Sequence, residues 1–279
     1  MSCLFVEQLT VIDCAYLDAE RGLVGESWLV DLELEGSLDE QSMVFDFGDV
    51  KKRLKRAIDG SVDHTLLVPV RDPGLWLHRT PERISLEFRS AAAGPIEHHS
   101  PPKAVTLIEA ASVDADSVAA HLQPLLAAQV PANVADVRLH LRNESIDGAY
   151  FHYTHGLKKH GGQCQRIAHG HRSRLQIEIA GHRRAELESA QAQRWADIYL
   201  GTRDDLVHRS GGRLRFHYTA AEGQFALELP ESRCDLLATD TTIECIAEHL
   251  AARFHQDHPQ DPVRVRVYEG VMKGAIARA

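Results

Sequence analysis

The chain has 279 residues, 44% of them hydrophobic and 25% charged, and a net charge of −9. That composition excludes collagen-like and disordered chains, and the acidic balance argues against nonspecific binding to nucleic acid or anionic membranes. No stretch approaches the roughly 18 uninterrupted apolar residues of a membrane span. The N-terminal segment lacks a charged-then-apolar signal layout, and five cysteines without a CxxC pair read as free thiols of a reducing cytoplasm.

Taken in chain order, Arg21–Gly36 (RGLVGESWLVDLELEG) alternates apolar and polar residues and ends on a turn glycine, which predicts a strand of a half-exposed antiparallel sheet. DFGDVKKRLKRAID follows as a helix, with Asp46 as N-cap and Val50, Leu54 and Ile58 at four-residue steps; its KKRLKR run (51–56) reads as a solvated face. Arg71 to Pro102 is expected to be partly irregular, with His98 and His99 solvated. Residues 112–125 (SVDADSVAAHLQPL) form a second helix before a strand at 134–141. The turn NESIDG places a boundary near Ser145–Gly148.

The plan then repeats. Arg166–Gly181 (RIAHGHRSRLQIEIAG) matches Arg21–Gly36 at an offset of 145, and DTTIECIAEHLAAR (240–253) matches the earlier helix at an offset of 128. The segment ELESAQAQRWADIYLGTRDDLV is helical in composition, and PVRVRVYEG (262–270) is the closing strand. Such internal similarity means two copies of one domain, 1–146 and 147–279.

The strongest chemical signal is FHYTHGLKKHGGQCQRIAHGH, residues 151–171. His169 and His171 share one face of a strand, and His155 on the preceding antiparallel strand can face them. Three neutral imidazoles with an open fourth position suit a catalytic zinc site. A gapless comparison gives the first half Val24-Gly25-Glu26 and Thr10 at these positions, so the histidines are not part of the shared scaffold.

These motifs resemble the 6-pyruvoyltetrahydropterin synthase / 6-carboxytetrahydropterin synthase family. The resemblance rests on Phe151-x-x-x-His155, Cys164 and His169-Gly-His171, on MVFDFGDVK (43–51) with Val62-Asp63-His64, on Thr242, Glu244 and Ala247, and on the VRVYE of 265–269. It implies an α+β chain of two tandem tunnelling-fold domains, each an antiparallel four-stranded sheet with helices on one face. It further implies zinc on His155, His169 and His171, Cys164 as the acid or base on the substrate side chain, and Asp63 and His64 as its acid/base partner. Glu269 would anchor a pterin ring by paired hydrogen bonds, and Thr242 would add a contact to that ring.

Each half keeps what the other lacks. Leu206–Arg209 replaces the Ser61–His64 stretch in the second half, and Ala19 replaces Cys164 in the first. The expected activity is therefore a zinc-dependent lyase with one composite site, acting on 7,8-dihydroneopterin triphosphate. Its product would be the 6-pyruvoyl compound or the 6-carboxy compound of the deazaguanine (queuosine) route. A pterin- or purine-binding relative and a zinc hydrolase of another substrate are the alternatives. The remaining expectations are a cytoplasmic homo-oligomer (trimer, dimer or tetramer), a small-molecule partner, and no nucleic acid or membrane.

Overall fold

The computed structural model describes all 279 residues. The first half runs β1 (Ser2–Asp18), β2 (Gly22–Gly36), α1 (Phe47–Asp59), β3 (Leu66–Pro69), β4 (Leu75–Arg79), β5 (Ile84–Ser90), β6 (Gly94–Ser100), β7 (Val105–Ile108), α2 (Ala115–Ala127) and β8 (Val134–Arg142). The second runs β9 (Tyr150–His155), β10 (His169–Ile179), β11 (His182–Arg183), α3 (Ala185–Arg194), β12 (Ile198–Thr202), β13 (Leu206–Ser210), β14 (Arg213–Ala220), β15 (Gly223–Pro230), β16 (Cys234–Leu237), α4 (Ile243–Asp257), β17 (Val263–Tyr268) and β18 (Gly274–Arg278).

The helices form where local chemistry closes their ends. Asp46 accepts the Gly48 amide at the start of α1, Asp114 and Ser117 make a reciprocal capping box on α2, and Thr242 caps α4 through the Cys245 amide. Val50, Leu54 and Ile58 bury one stripe of α1 beside Val118, Leu122 and Leu126 of α2, each contributing roughly 1.5–3 kcal/mol of burial. In the second half α4 buries Ile246, Leu250 and Phe254 against β17 and β18, in one core with Trp195 at the end of α3.

The expected four-stranded sheets are larger. The first half forms a five-stranded sheet, β7-β3-β1-β2-β8, and the second a seven-stranded sheet, β16-β12-β9-β10-β17-β18 with β11 paired to β10. The extra strands are short parallel additions and a C-terminal hairpin, features too brief to show a period in sequence. A third sheet, β13-β14-β15-β6-β5-β4, spans both halves through the pairing of β6 with β15. The stretch 71–102 is thus mostly three strands joined by short turns, and His98 is buried within β6 of this sheet, not solvated. Likewise α3 ends at Arg194 and the chain becomes strand from Ile198, because that segment joins β9 in parallel. No helix is long and apolar enough to cross a membrane.

Strand register fixes which residues of the two halves correspond. Val24 pairs with Tyr16 and Gly25 with Ala15, as His169 pairs with His155 and Gly170 with Thr154. The residue equivalent to His155 is thus Tyr16 and not Thr10. Tyr16 and Val24 are eight positions apart but His155 and His169 fourteen, and the longer connection carries Cys164. A gapless offset fails across that difference. The same logic through β3 and β12 sets Leu66 against Tyr199, so Asp63-His64 corresponds to Ala196-Asp197. Leu206–Arg209, matched to it in sequence, lies instead in β13 of the third sheet. His64 and Asp197 share a left-handed backbone, with φ of 51° and 55°.

The two main sheets meet where β2 and β10 cross. A Cβ on Gly170 would lie 2.7 Å from the Gly25 Cα, and one on Gly25 would lie 1.9 Å from the Tyr153 carbonyl oxygen. Glycine at these two equivalent positions is what permits backbone-to-backbone contact.

Candidate active site

His155, His169 and His171 are all buried, at 0–1% exposure. His155 sits directly opposite His169 on the β9–β10 ladder, and His171 follows two residues on. Their outward nitrogens are held. His155 Nδ1 lies 2.9 Å from the Thr241 carbonyl and 3.2 Å from its hydroxyl, and His169 Nδ1 lies 3.0 Å from the Arg166 carbonyl. His171 Nδ1 stands 3.1 Å from Asp13 Oδ1, within ion-pair distance but outside hydrogen-bond geometry. Backbone carbonyls only accept, so they fix Nδ1–H and free Nε2 on His155 and His169. His155 Nε2 and His171 Nε2 converge to 3.3 Å, and one ligand atom from each of the three histidines lies within 4.8 Å of the others. Burial and the neighbouring imidazoles push His155 and His169 well below the usual histidine range, so both are neutral donors. Buried, neutral, outer-shell-anchored imidazoles are the donor set zinc takes.

Asp63 and His64 come from the first half to the same place. Asp63 Oδ1 accepts the Asp13 amide at 2.9 Å, while its Oδ2 holds His64 Nδ1 at 2.7 Å. The His64 amide in turn donates to the Asp13 carbonyl at 2.7 Å. His64 stacks toward His169 with ring centroids 5.1 Å apart. Nitrogens of His64 and His169 and the Cys164 sulfur fall within 4.8 Å of one another. Burial works against charge on His64, but its hydrogen bonds to Asp63 and Cys164 raise it to about 10. Thus one chain brings Cys164, His64 and Asp63 together beside the three histidines.

Several supports were not legible in the sequence. Asp13 is buried, accepts the Ser27 hydroxyl at 2.5 Å, and lies within 3.4 Å of Lys273. Burial opposes its charge, yet His171, Lys273 and Ser27 hold its carboxyl well below the usual range. Arg166, paired to Glu222, donates to the His64 carbonyl at 3.3 Å, and Tyr218 donates to the Gln165 carbonyl. The third sheet therefore braces the loop that carries Cys164. Thr242 is the N-cap of α4, and its hydroxyl accepts the Cys245 amide; its neighbour Thr241 is the residue that reaches His155. Glu269 is partly exposed and stands 3.6 Å from Lys273.

The equivalent place in the first half is built differently. Tyr16, Val24 and Glu26 replace the three histidines, and Asn143 stands at the register position of Glu269. There Arg21 binds Asp197 through Nε at 3.0 Å and donates to the Tyr16 hydroxyl at 3.1 Å. The His171–Asp13 pair is mirrored with its chemistry exchanged, as Glu26 and His152 4.0 Å apart. An ion-paired cluster fills this position, without a set of metal donors.

Fold and site together define a tandem α+β protein with one buried three-histidine centre. The chain belongs to the 6-pyruvoyl tetrahydropterin synthase family, which matches it twice, over residues 16–146 and 144–279. Among solved structures, 6-pyruvoyltetrahydropterin synthase of Plasmodium vivax is 17% identical, covers 51% of this chain and 98% of its own, and superposes with a TM-score of 0.40. The Plasmodium falciparum enzyme is 16% identical, with 50% and 90% coverage and a TM-score of 0.41. No curated protein matches the chain.

Proposed function

We propose that the protein is a zinc-dependent carbon–oxygen lyase acting on 7,8-dihydroneopterin triphosphate at one site composed from both halves, 1–146 and 147–279. The observation that carries this reading is the convergence of Asp63-His64 with Cys164 and His169 inside one chain. His155, His169 and His171 would hold zinc, which when bound polarises the substrate's side-chain hydroxyls. Asp63 fixes His64 through Nδ1, which leaves the other ring nitrogen toward Cys164. Cys164 takes a proton from the substrate side chain, and His64 returns one to the opposite end of the rearranging unit. Triphosphate departs by elimination. Glu269 pairs its two oxygens with the amino and ring N–H edge of the pterin. Thr242, at the start of α4, adds a contact to that ring.

The test is metal content together with triphosphate release from 7,8-dihydroneopterin triphosphate by the purified protein. About one zinc per chain with release is the expected result. One zinc without release would favour a binding role, and no zinc uptake would remove the reading.

A further inference from the structure

Lys273 lies outside every motif singled out in the sequence, yet the C-terminal hairpin delivers it to the site. Its Nζ stands 3.4 Å from Asp13 Oδ2 and 3.6 Å from Glu269 Oε2. The turn that carries it is pinned. The Glu269 amide donates to the Lys273 carbonyl at 2.9 Å, and the Gly270 amide donates to the Ser173 hydroxyl at 3.1 Å. Gly270 has φ +65°, and a Cβ there would fall 2.5 Å from Asp13 Oδ1. Glycine thus lets the turn lie directly on Asp13, which is itself set by His171 and Ser27.

An ammonium has three donors. Two face the carboxylates of Asp13 and Glu269 at distances too long for tight bonds, and the side chain is 54% exposed, so a donor remains for a ligand. A 2-amino-4-oxo ring presents amine, ring N–H and carbonyl along one edge. A carboxylate satisfies the first two. The carbonyl beside them needs a donor adjacent to that carboxylate. We propose that Lys273 is a specificity-determining residue that donates to this ring carbonyl, selecting 2-amino-4-oxo rings over 2,4-diamino rings; this rests on the pterin reading above.

The experiment is equilibrium binding of pterin and of 2,4-diaminopteridine at pH 8 to the wild-type protein and to K273M, K273Q and K273R. Glu269 also senses the change of ring, so the readout is the preference ratio of each variant against wild type. Wild type should prefer pterin. K273M and K273Q should each weaken pterin about tenfold or more while leaving the diamino compound unchanged, because a hydrogen bond from a charged donor is lost. K273R should keep most of the preference, and K273Q replaces K273M if the latter does not fold. Equal weakening of both ligands, or no change in either, overturns the proposal while leaving the pterin reading intact. A wild-type protein that binds neither ring overturns the pterin reading and the role of Lys273 with it.

Discussion

His64 and His169 belong to different halves of the chain, and their rings stand 5.1 Å apart. The contact exists because the chain enters β3, parallel to β1, through left-handed His64, while β2 and β10 cross at paired glycines. A single chain therefore needs no second subunit to bring the Asp63-His64 pair to Cys164.

Removing the orienting carboxylate should separate proton transfer from metal binding. D63N keeps the side-chain shape that receives the Asp13 amide but loses the charge that holds His64. Triphosphate release should fall on the order of 10²–10⁴-fold, with zinc content unchanged. Full activity in D63N would break the composite site.

Asp13 stands behind the three histidines. Its carboxylate faces His171 Nδ1 at 3.1 Å and is the one charged outer partner among the three histidines. D13N should weaken zinc about 10–100-fold in chelator competition. An unchanged zinc affinity would show that His171 is oriented by its backbone alone.

The crossing of β2 and β10 should be intolerant of a methyl group. In G170A the new Cβ would stand 2.4 Å from the Tyr153 carbonyl oxygen and 2.7 Å from the Gly25 Cα, both backbone atoms with no rotamer to change. A loss of about 1–3 kcal/mol or more is expected, measured as a lower urea midpoint with an unchanged slope. A variant as stable as wild type would mean that the sheets part without cost.

Glu26 gives a pH signature. Burial outweighs the Ser27 amide, Arg172, Asn143 and Arg21 and lifts its carboxyl from 4.5 to about 7. The folded state then holds a proton that the unfolded chain has released, so the penalty is absent below about 4.5, grows with pH, and is complete above about 7. His152, 4.0 Å away, is lowered by burial to about 4; its penalty acts at low pH and vanishes above 6.5, opposing the Glu26 slope. E26Q removes only the Glu26 slope. Its stability relative to wild type should rise between pH 5 and pH 8 by as much as about 3 kcal/mol, read from urea unfolding at both values. A difference independent of pH would refute the assignment of Glu26.

Sequence periodicity and spacing were enough for the duplication, the cap of α1, and the closeness of His169 to His171, because these are short-range properties. Asp46 and the i, i+2 rule act within a few residues, whereas the cap that Thr242 makes on α4 is a finding of the structure. The correspondence of the halves was harder. Tyr16 and Asp197 could be matched to His155 and His64 only by ladder register, since the connection around Cys164 is six residues longer than its counterpart, thirteen against seven.

What the sequence by itself determined is thus the tandem plan and the donor types: three histidines and a cysteine in one half, an Asp-His pair in the other. The tertiary structure decided where they meet and what supports them. Asp13, Thr241, Arg166 and Lys273 show no motif, because their roles come from strand crossing, the shared third sheet and the C-terminal hairpin. Contacts made across 86 residues or more leave no local period to read.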